Sequence, residues 1–380
     1  MESKGDPGLS LVPHTPIGTK PLAERQVILL ATATITEDNV FANGLFQNVF
    51  VLYRMFDAMG YAPILFVNNL PTSLENIPGP LRSCRMITVE TVAKEPIRNL
   101  LCMIEIGMSF DPSVRRMIQI LGGKRYKLYL GNILNIDIET PMFYPSNYFP
   151  HHVVGELDAI WTSPHYAQHA EYASYINHVK PPAAIENIIA PYVWDPCFVD
   201  RDKPIRWEPG EEVLIIMEPN ISFQKTALVP LLIAKAAGKA AVVVNGDRLK
   251  QIPHFVENVL PSLGPVELLP RMDIRSVMSM WPSATFLLHN VNNEFNYMTL
   301  ELMWAGFPVI HNSPSWAGFG YSYSGSDISG AVERLKQTAN HASRKETYAA
   351  HAATIAWRYS PYNPVVQAAW KRLLGNRDTE

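Results

Sequence analysis

The sequence predicts an α/β protein made of two doubly wound parallel domains that face a shared cleft. Short apolar runs of the buried-strand type alternate with stretches of helical periodicity, which is the pattern of parallel strand–helix–strand units. This alternation stops at residues 191–212, a segment dense in proline and charge, and then restarts. The chain has 380 residues, 47% hydrophobic and 18% charged, so it is long enough for two cores and is not disordered throughout.

In the first half, helices are predicted where apolar residues recur at helical spacing. Residues 45–60 carry such a stripe, and Gly60 is well placed to end the helix. Residues 111–122 form a second helix, with Asp111 and Pro112 at its start. The apolar runs between and around these helices are predicted strands: 25–35, 62–69, 100–108, 127–132 and 157–163.

The second half repeats this alternation. The segment after Asp273 is a predicted helix, because an aspartate is a favoured N-cap. The predicted strands are 213–217, 240–247, 266–270, 284–290 and 307–313. The predicted helices are 226–238, 252–262, 273–281, 298–306 and 327–342.

These elements define four regions. Residues 1–24, which hold four prolines, are predicted to be a flexible arm. Residues 25–200 form the first domain and residues 201–355 the second. Residues 356–380 form a C-terminal helix, kinked by prolines, that crosses back to the first domain.

Composition excludes several classes of protein. Three cysteines without close spacing predict neither a disulfide framework nor a zinc site. The N-terminus lacks a secretory apolar region and no run of 18 apolar residues occurs, so we expect a cytoplasmic protein without a membrane span. A net charge of −3 gives no overall attraction to nucleic acid, although Lys124, Arg125 and Lys127 form a local basic cluster.

Residues 292–313 are the most informative segment. They predict a loop, a helix that begins near Asn296–Thr299, and a strand. The start of a helix beside the end of a strand favours a phosphate group, because its N–H groups are unpaired. Glu301 lies one turn further on. It is placed either to accept hydrogen bonds from a ribose or simply to interact favourably with the positive end of the helix dipole.

This segment resembles the donor-binding segment of retaining GT-B glycosyltransferases. Glu301 matches the second acid of that pattern, and Gly306-Phe307-Pro308-Val309 matches its end. The position of the first acid is taken by Asn293, with Glu294 displaced by one residue. Over residues 213–325 the chain is also similar to a poorly characterised GT-B-like group found in bacteria and in large viruses or phages.

The resemblance implies a GT-B fold, two Rossmann-like domains facing a cleft, with the donor bound by the second domain. Lys225 matches the lysine that neutralises the donor diphosphate, and Asn220 stands in the place of the usual arginine. Lys225 and Glu301 are thus the implied catalytic residues; an exposed lysine at a helix start is the alternative for Lys225. The implied donor-binding residues are Asn220, Asn293, Glu294, Asn296, Tyr297, Met298, Thr299, His311 and Asn312.

The acceptor side of the cleft is predicted at residues 38–48, between a strand and a helix. Gly44 allows close approach of the backbone, and Gln47 and Asn48 offer hydrogen bonds. An ordinary turn with a helix cap explains this loop equally well, and it is not a GxGxxG sequence. His289, at the end of a strand, is predicted either on the cleft rim or packed in the core.

The function implied is transfer of a hexosyl or pentosyl group from a nucleotide-sugar, a UDP-sugar, with retention. No cofactor and no metal is expected, since a lysine and helix dipoles neutralise the diphosphate. The acceptor is a surface glycan or a modified DNA base such as hydroxymethylcytosine, and the protein is a monomer or homodimer. The alternatives are a catalytically degenerate sugar- or nucleotide-binding protein and a nucleotide-sugar epimerase.

Overall fold

A computed structural model describes most of the chain. The described residues are 24–36, 44–71, 84–95, 97–106, 108–131, 133, 155–181, 184, 188–201, 203–218, 220, 224–292 and 296–375. The predicted arm lies outside them except for Glu24, as do residues 37–43 of the predicted acceptor loop.

The first domain contains a six-stranded parallel sheet in the order β3-β2-β1-β4-β5-β6. Its strands are β1 Val27–Ala31, β2 Ala62–Val67, β3 Met86–Thr88, β4 Leu100–Ile106, β5 Lys124–Tyr129 and β6 Ala159–Thr162. Its helices are α1 Gly44–Ala58, α2 Val89–Lys94, α3 Pro112–Ile120 and α4 Ala170–Ile176. All five residues of β1 are buried, because helices cover both faces of a parallel sheet.

The second domain has a parallel sheet in the order β12-β11-β10-β7-β8-β9. Its strands are β7 Leu214–Ile216, β8 Ala241–Val244, β9 Val266–Leu269, β10 Thr285–Leu287, β11 Val309–His311 and β12 Tyr321–Ser322. Its helices are α5 Leu228–Ala236, α6 Asp247–Lys250, α7 Ile274–Met280, α8 Tyr297–Trp304 and α9 Ile328–Gln337. Two further helices, α10 Lys345–Tyr359 and α11 Pro364–Leu373, follow at the end of the chain.

Both sheets have the strand order of a doubly wound fold. In each sheet the first strand of the domain pairs with the fourth, so the order of connection reverses between them. That reversal opens a crevice at the carboxyl ends of the two strands, where open α/β sheets bind their ligands. In the second domain the crevice lies between β7 and β10, and the predicted α/β class with two such domains is confirmed.

The segment between the domains and the end of the chain hold the two halves together. The Trp370 indole on α11 donates to the carbonyl of Pro191 at 3.1 Å, and its ring packs edge-on against Phe56 and Trp161 of the first domain. The Trp194 amide donates to the Tyr359 carbonyl at 2.8 Å. The C-terminal helix therefore crosses back to the first domain, as predicted.

Some elements differ from their predicted form. The helix expected over 252–262 is a π-helical turn, Phe255–Val259, followed by a 3₁₀ turn that contains Pro261. Pro261 has no N–H for a longer helix, so the regular hydrogen bonds cannot continue. Strands β3 and β12 were missed because they have three and two residues and therefore little periodicity.

The predicted basic cluster of the first domain is divided between the core and the surface. Arg125 is buried and pairs with Asp158 at 2.9 Å, and buried Lys127 lies over the Tyr129 ring. Lys124 pairs with Asp158 at 4.0 Å. Of the three residues Lys124 alone is exposed, since strand β5 directs alternate side chains into the fold.

Arginines also pair with two other carboxylates of the first domain. Glu105 is fully buried and bound by Arg115 through two bonds of 2.8 and 2.7 Å. Glu156 pairs with Arg116 and Arg125. These acids act within the fold, since each is held by an arginine.

Candidate active site at the switch point of the second sheet

The loop after β7 is closed by Asn220. Its amide N–H donates to the Lys225 carbonyl at 3.1 Å, and its side-chain oxygen accepts from the Ala227 amide at 2.8 Å. Its side-chain nitrogen donates to the Glu218 carbonyl at 2.9 Å. Asn220 has a positive φ of 54°, which asparagine tolerates well. Its side chain is therefore occupied in shaping the loop that carries Lys225.

Lys225 is partly buried at the mouth of this loop, ahead of the start of α5. Burial lowers its pKa, and the carboxylate of Glu218 acts in the opposite direction. An ammonium group in this position can attract a diphosphate through its charge. The alternative of an ordinary exposed lysine on the helix is not what the geometry shows.

Glu218, which the sequence analysis did not select, lies directly behind this loop. Its side chain is fully buried, and one carboxyl oxygen accepts the His289 amide at 3.2 Å. Its other oxygen, Oε2, has no hydrogen-bond partner within the described part of the chain. Burial raises the pKa of Glu218 well above its ordinary value. A charged residue straight after an apolar strand was the available sequence cue.

The loop after β10 contributes His289 and Asn290. The Tyr323 hydroxyl lies 3.3 Å from the Leu288 carbonyl and 2.9 Å from His289 Nδ1, so it bridges the two residues. His289 Nε2 and the side-chain nitrogen and oxygen of Asn290 are buried without hydrogen-bond partners among the described residues. Buried polar atoms are normally satisfied, so such a group marks a place for a ligand or water.

His311 and Asn312, predicted to bind the donor, form hydrogen bonds with neighbouring backbone groups. His311 Nε2 lies 2.9 Å from the Phe319 carbonyl, and its Nδ1 accepts the Ser313 amide at 3.3 Å. Asn312 accepts the Asn290 amide at 2.9 Å and donates to the carbonyls of Asn290 and Gly325. Since these bonds occupy both ring nitrogens and the side-chain amide, the two residues hold the loop of Asn290 in place.

Helix α8 begins beside that loop. Asn296 is its N-cap: the side-chain oxygen accepts the Met298 amide at 3.1 Å, and the backbone carbonyl accepts the Thr299 amide at 3.1 Å. The amides of Met298 and Thr299 are thus already bonded, whereas the buried Thr299 hydroxyl has no partner among the described residues. The predicted donor residues Asn293 and Glu294 lie outside the described residues.

Glu301 is buried on α8 and receives a side-chain hydrogen bond from Gln47 of the first domain. Burial raises the pKa of Glu301 to about 7, which the nearby Asp273 supports and Arg201 and Gln47 oppose. A carboxyl group of this kind gains or loses a proton near neutral pH. Whether this group donates or only accepts hydrogen bonds therefore depends on pH near neutrality.

The first domain meets α8 through the start of α1. Asn48 donates to the Val193 carbonyl at 2.9 Å and to the Tyr297 hydroxyl at 2.8 Å, and that hydroxyl donates to the same carbonyl at 3.1 Å. A Cβ atom on Gly44 would lie 2.3 Å from the Tyr297 ring. Only glycine fits this contact, so Gly44 is needed for close packing of the two domains.

The structure therefore brings the predicted residues into two adjoining groups. Gly44, Gln47 and Asn48 meet Tyr297 and Glu301 at the contact between the domains. A second group, which we call the switch-point cluster, comprises Glu218, Lys225, His289, Asn290 and Tyr323 at the carboxyl ends of β7, β10 and β12. Sequence reasoning found Lys225 and His289 of this cluster and missed the other three.

Within the described ranges, no group of three or more histidine, cysteine, aspartate or glutamate side chains is arranged to hold a metal ion. No described helix combines the length and the apolar character needed to cross a membrane.

Comparison with solved structures shows which class of fold this is. The chain is similar to an alpha-glucosyltransferase in complex with UDP and a 13-mer DNA containing an HMU base, with a TM-score of 0.60, 10% identity and coverage of 93% of this chain and 100% of that one. It is similar to Anabaena Alr3699/HepE in complex with UDP and glucose: TM-score 0.57, 12% identity, coverage 92% and 99%. A third similar structure is the lipopolysaccharide outer core galactosyltransferase WaaB: TM-score 0.54, 10% identity, coverage 92% and 99%.

The protein therefore has the GT-B fold of these glycosyltransferases. By sequence, the chain belongs to the family described as "Protein of unknown function (DUF2827)", whose model matches residues 30–374. A search of curated proteins finds no match.

Proposed function

We propose that this protein is a glycosyltransferase that binds a UDP-sugar with its second domain and transfers the sugar to an acceptor held by the first. The observation that carries the proposal is the switch-point cluster. It combines a partly buried cation, Lys225, with polar atoms of Glu218, His289 and Asn290 that have no partner in the described ranges, in the crevice where this fold binds ligands.

The roles follow from charge and position. Lys225 stabilises the departing diphosphate, and the switch-point cluster supplies hydrogen bonds to the donor. Glu301 binds the ribose, and contact between α1 and α8 excludes water that would hydrolyse the donor. Solved structures that share the fold contain UDP or UDP-glucose, which supports a UDP-sugar as the donor. We further propose that the sugar is transferred with retention and without a divalent metal, since Lys225 supplies the positive charge.

A glycan is the acceptor that we propose. DNA binding depends on exposed cations that contact phosphates, and the basic cluster of the first domain is instead buried or ion-paired. One structure with this fold is a complex with DNA containing an HMU base, so a DNA acceptor is the alternative to be tested. Sugar transfer to DNA that disappears when the salt concentration is raised from about 50 to about 200 mM would favour that alternative.

A thermal-shift panel with UDP, GDP, dTDP, CMP and ADP, in the presence of EDTA, tests donor binding. At about 100 times its dissociation constant, a nucleotide should stabilise the fold by about 2.7 kcal/mol. We expect a shift with UDP. No shift with any nucleotide would contradict the transferase and favour a degenerate protein that binds another ligand.

Lys225→Ala tests the catalytic role. We expect turnover to fall by about 10²–10³, the range for removing one group that stabilises transition-state charge. Lys235→Ala, which removes an exposed lysine from α5 of the same domain, is the matched control and should leave turnover unchanged. Equal turnover in wild type and Lys225→Ala would contradict the assignment.

A further inference from the structure

The carboxyl edge of the second sheet carries a row of polar side chains. The pairing register sets three residues side by side on β8, β7 and β10: Val242, Ile215 and Phe286. Three positions further along each of these strands stand Asn245, Glu218 and His289. Each has a buried side-chain atom without a hydrogen-bond partner among the described residues: Asn245 Oδ1, Glu218 Oε2 and His289 Nε2. Because neighbouring strands lie about 4.8 Å apart, the row is about 10 Å long.

Asn245 is the member of this row that lies outside the switch-point cluster, and its backbone is held from both sides. Its amide N–H donates to the Pro270 carbonyl at 3.4 Å, and its carbonyl accepts the side-chain nitrogen of Asn220 at 3.3 Å. Its φ of 68° is one that asparagine tolerates well. A Cβ atom on the next residue, Gly246, would lie 2.8 Å from the Leu268 side chain, so the turn is closely packed. An open side-chain oxygen on so firmly held a turn marks a place for a hydrogen-bond donor.

Residues 270–273 connect Asn245 with α8, the helix that carries the proposed ribose ligand Glu301. They begin at the Pro270 carbonyl that accepts the Asn245 amide. They end at Asp273, which pairs with Arg201 at 3.9 Å. The residue before Arg201 is Asp200, and it accepts the indole N–H of Trp304 on α8 at 2.6 Å. A nucleoside whose ribose lies on Glu301 therefore has its base on the side of Asn245.

We propose that Asn245 is a specificity-determining residue of the donor site, whose Oδ1 accepts a hydrogen bond from N3–H of uracil. The inference rests on the proposed function. An amide oxygen can only accept, so its partner has to be an N–H or O–H of the ligand. Uracil offers N3–H on its pairing edge, whereas a base that lacks this proton leaves the buried oxygen unpaired. A site built around such a bond rejects the analogue without it.

The test compares UDP with 3-methyluridine diphosphate, in which a methyl group replaces the proton on N3, by calorimetry. We expect the wild type to bind UDP at least about tenfold more tightly, the equivalent of one hydrogen bond. Asn245→Gly removes the side chain and keeps the turn, since glycine adopts a positive φ freely. This variant should bind UDP about tenfold more weakly than the wild type and should bind the two nucleotides equally.

Two further variants separate the oxygen atom from the turn. Asn245→Asp keeps an oxygen in the same place and also tolerates a positive φ, so it should retain the preference for UDP. Asn99→Gly is the matched control, because Asn99 is an exposed asparagine of the first domain with a φ of 56°. It should keep both the affinity and the preference of the wild type.

Each contrary result overturns a specific statement. Equal binding of the two nucleotides by the wild type overturns the role of N3–H, even if the variants fail to fold. A preference that persists in Asn245→Gly, or that is lost in Asn245→Asp, shows that Oδ1 of Asn245 does not read this proton. If the wild type binds neither nucleotide, the proposed function itself fails, which is a different result from any of these.

Discussion

The carboxyl ends of two neighbouring strands, β10 and β11, each carry the dipeptide His-Asn. In the first copy, His289-Asn290, one ring nitrogen and both side-chain amide atoms are buried without partners among the described residues. In the second copy, His311-Asn312, hydrogen bonds engage both ring nitrogens and the amide. The second copy also holds the backbone of the first, through Asn312 and Asn290.

The difference shows how a binding site is supported in this fold. Polar atoms can stay open to a ligand only if other groups hold their loop rigidly, since each unsatisfied buried atom costs about 1–3 kcal/mol. Asn312 supplies that support through three hydrogen bonds. We therefore expect changes in the second copy to affect stability and changes in the first copy to affect ligand binding.

The largest expected effect is the pH dependence of stability caused by His311. Burial lowers the pKa of His311 from 6.5 to about 4. The unfolded chain therefore takes up a proton near pH 6.5 while the folded chain does not, so stability is lost as pH falls from about 6.5 to about 4. This single histidine should account for about 3 kcal/mol of that loss.

The measurement compares urea unfolding of the wild type and His311→Gln. At about pH 7 the variant should be less stable, and the gap should shrink by about 3 kcal/mol by about pH 4, because only the wild type has this histidine to protonate. His254→Gln, which changes an exposed histidine, is the control. A gap that stays constant with pH would show that His311 is not held neutral.

The next effect is the loss of support in Asn312→Ala. The change leaves the Asn290 amide and carbonyl and the Gly325 carbonyl without their partner, so we expect the free energy of unfolding to fall by about 2 kcal/mol. Asn340→Ala, at an exposed position, should change it by less than about 0.5 kcal/mol. Equal stability of Asn312→Ala and Asn340→Ala would show that Asn312 does not support the fold, and the proposed difference between the two His-Asn dipeptides would fail.

Much of the fold could be predicted from the sequence, because its evidence is local. The buried strands β1 and β2 are apolar runs, and α1 carries an apolar stripe that ends at Gly60. The elements that were missed are short: β3 has three residues and β12 has two, too few to show a period. Pro261 interrupts a segment that otherwise has helical spacing, and only the structure shows the turn that results.

The site was less predictable because its properties depend on pairing across strands. His289 and His311 follow apolar runs of the same kind, and nothing nearby in sequence shows that Phe319 and Ser313 engage one of them. Glu218 is a single acid after a strand, and its significance comes from His289, 71 residues away. Hydrogen-bond partners this distant in sequence become visible only in the folded chain.

The smallest expected effect, and the sharpest test of the comparison, is Asn290→Ala. Its side-chain amide has no partner to lose among the described residues, so the free energy of unfolding should not fall below that of the wild type. If the amide binds the donor, the dissociation constant for the UDP-sugar should rise about tenfold, the equivalent of one hydrogen bond of about 1.4 kcal/mol. Calorimetry with UDP-glucose measures the affinity, and urea unfolding measures the stability. A variant that loses stability but keeps its affinity would place Asn290 with Asn312, as a supporting residue, and would reduce the switch-point cluster to Glu218, Lys225, His289 and Tyr323.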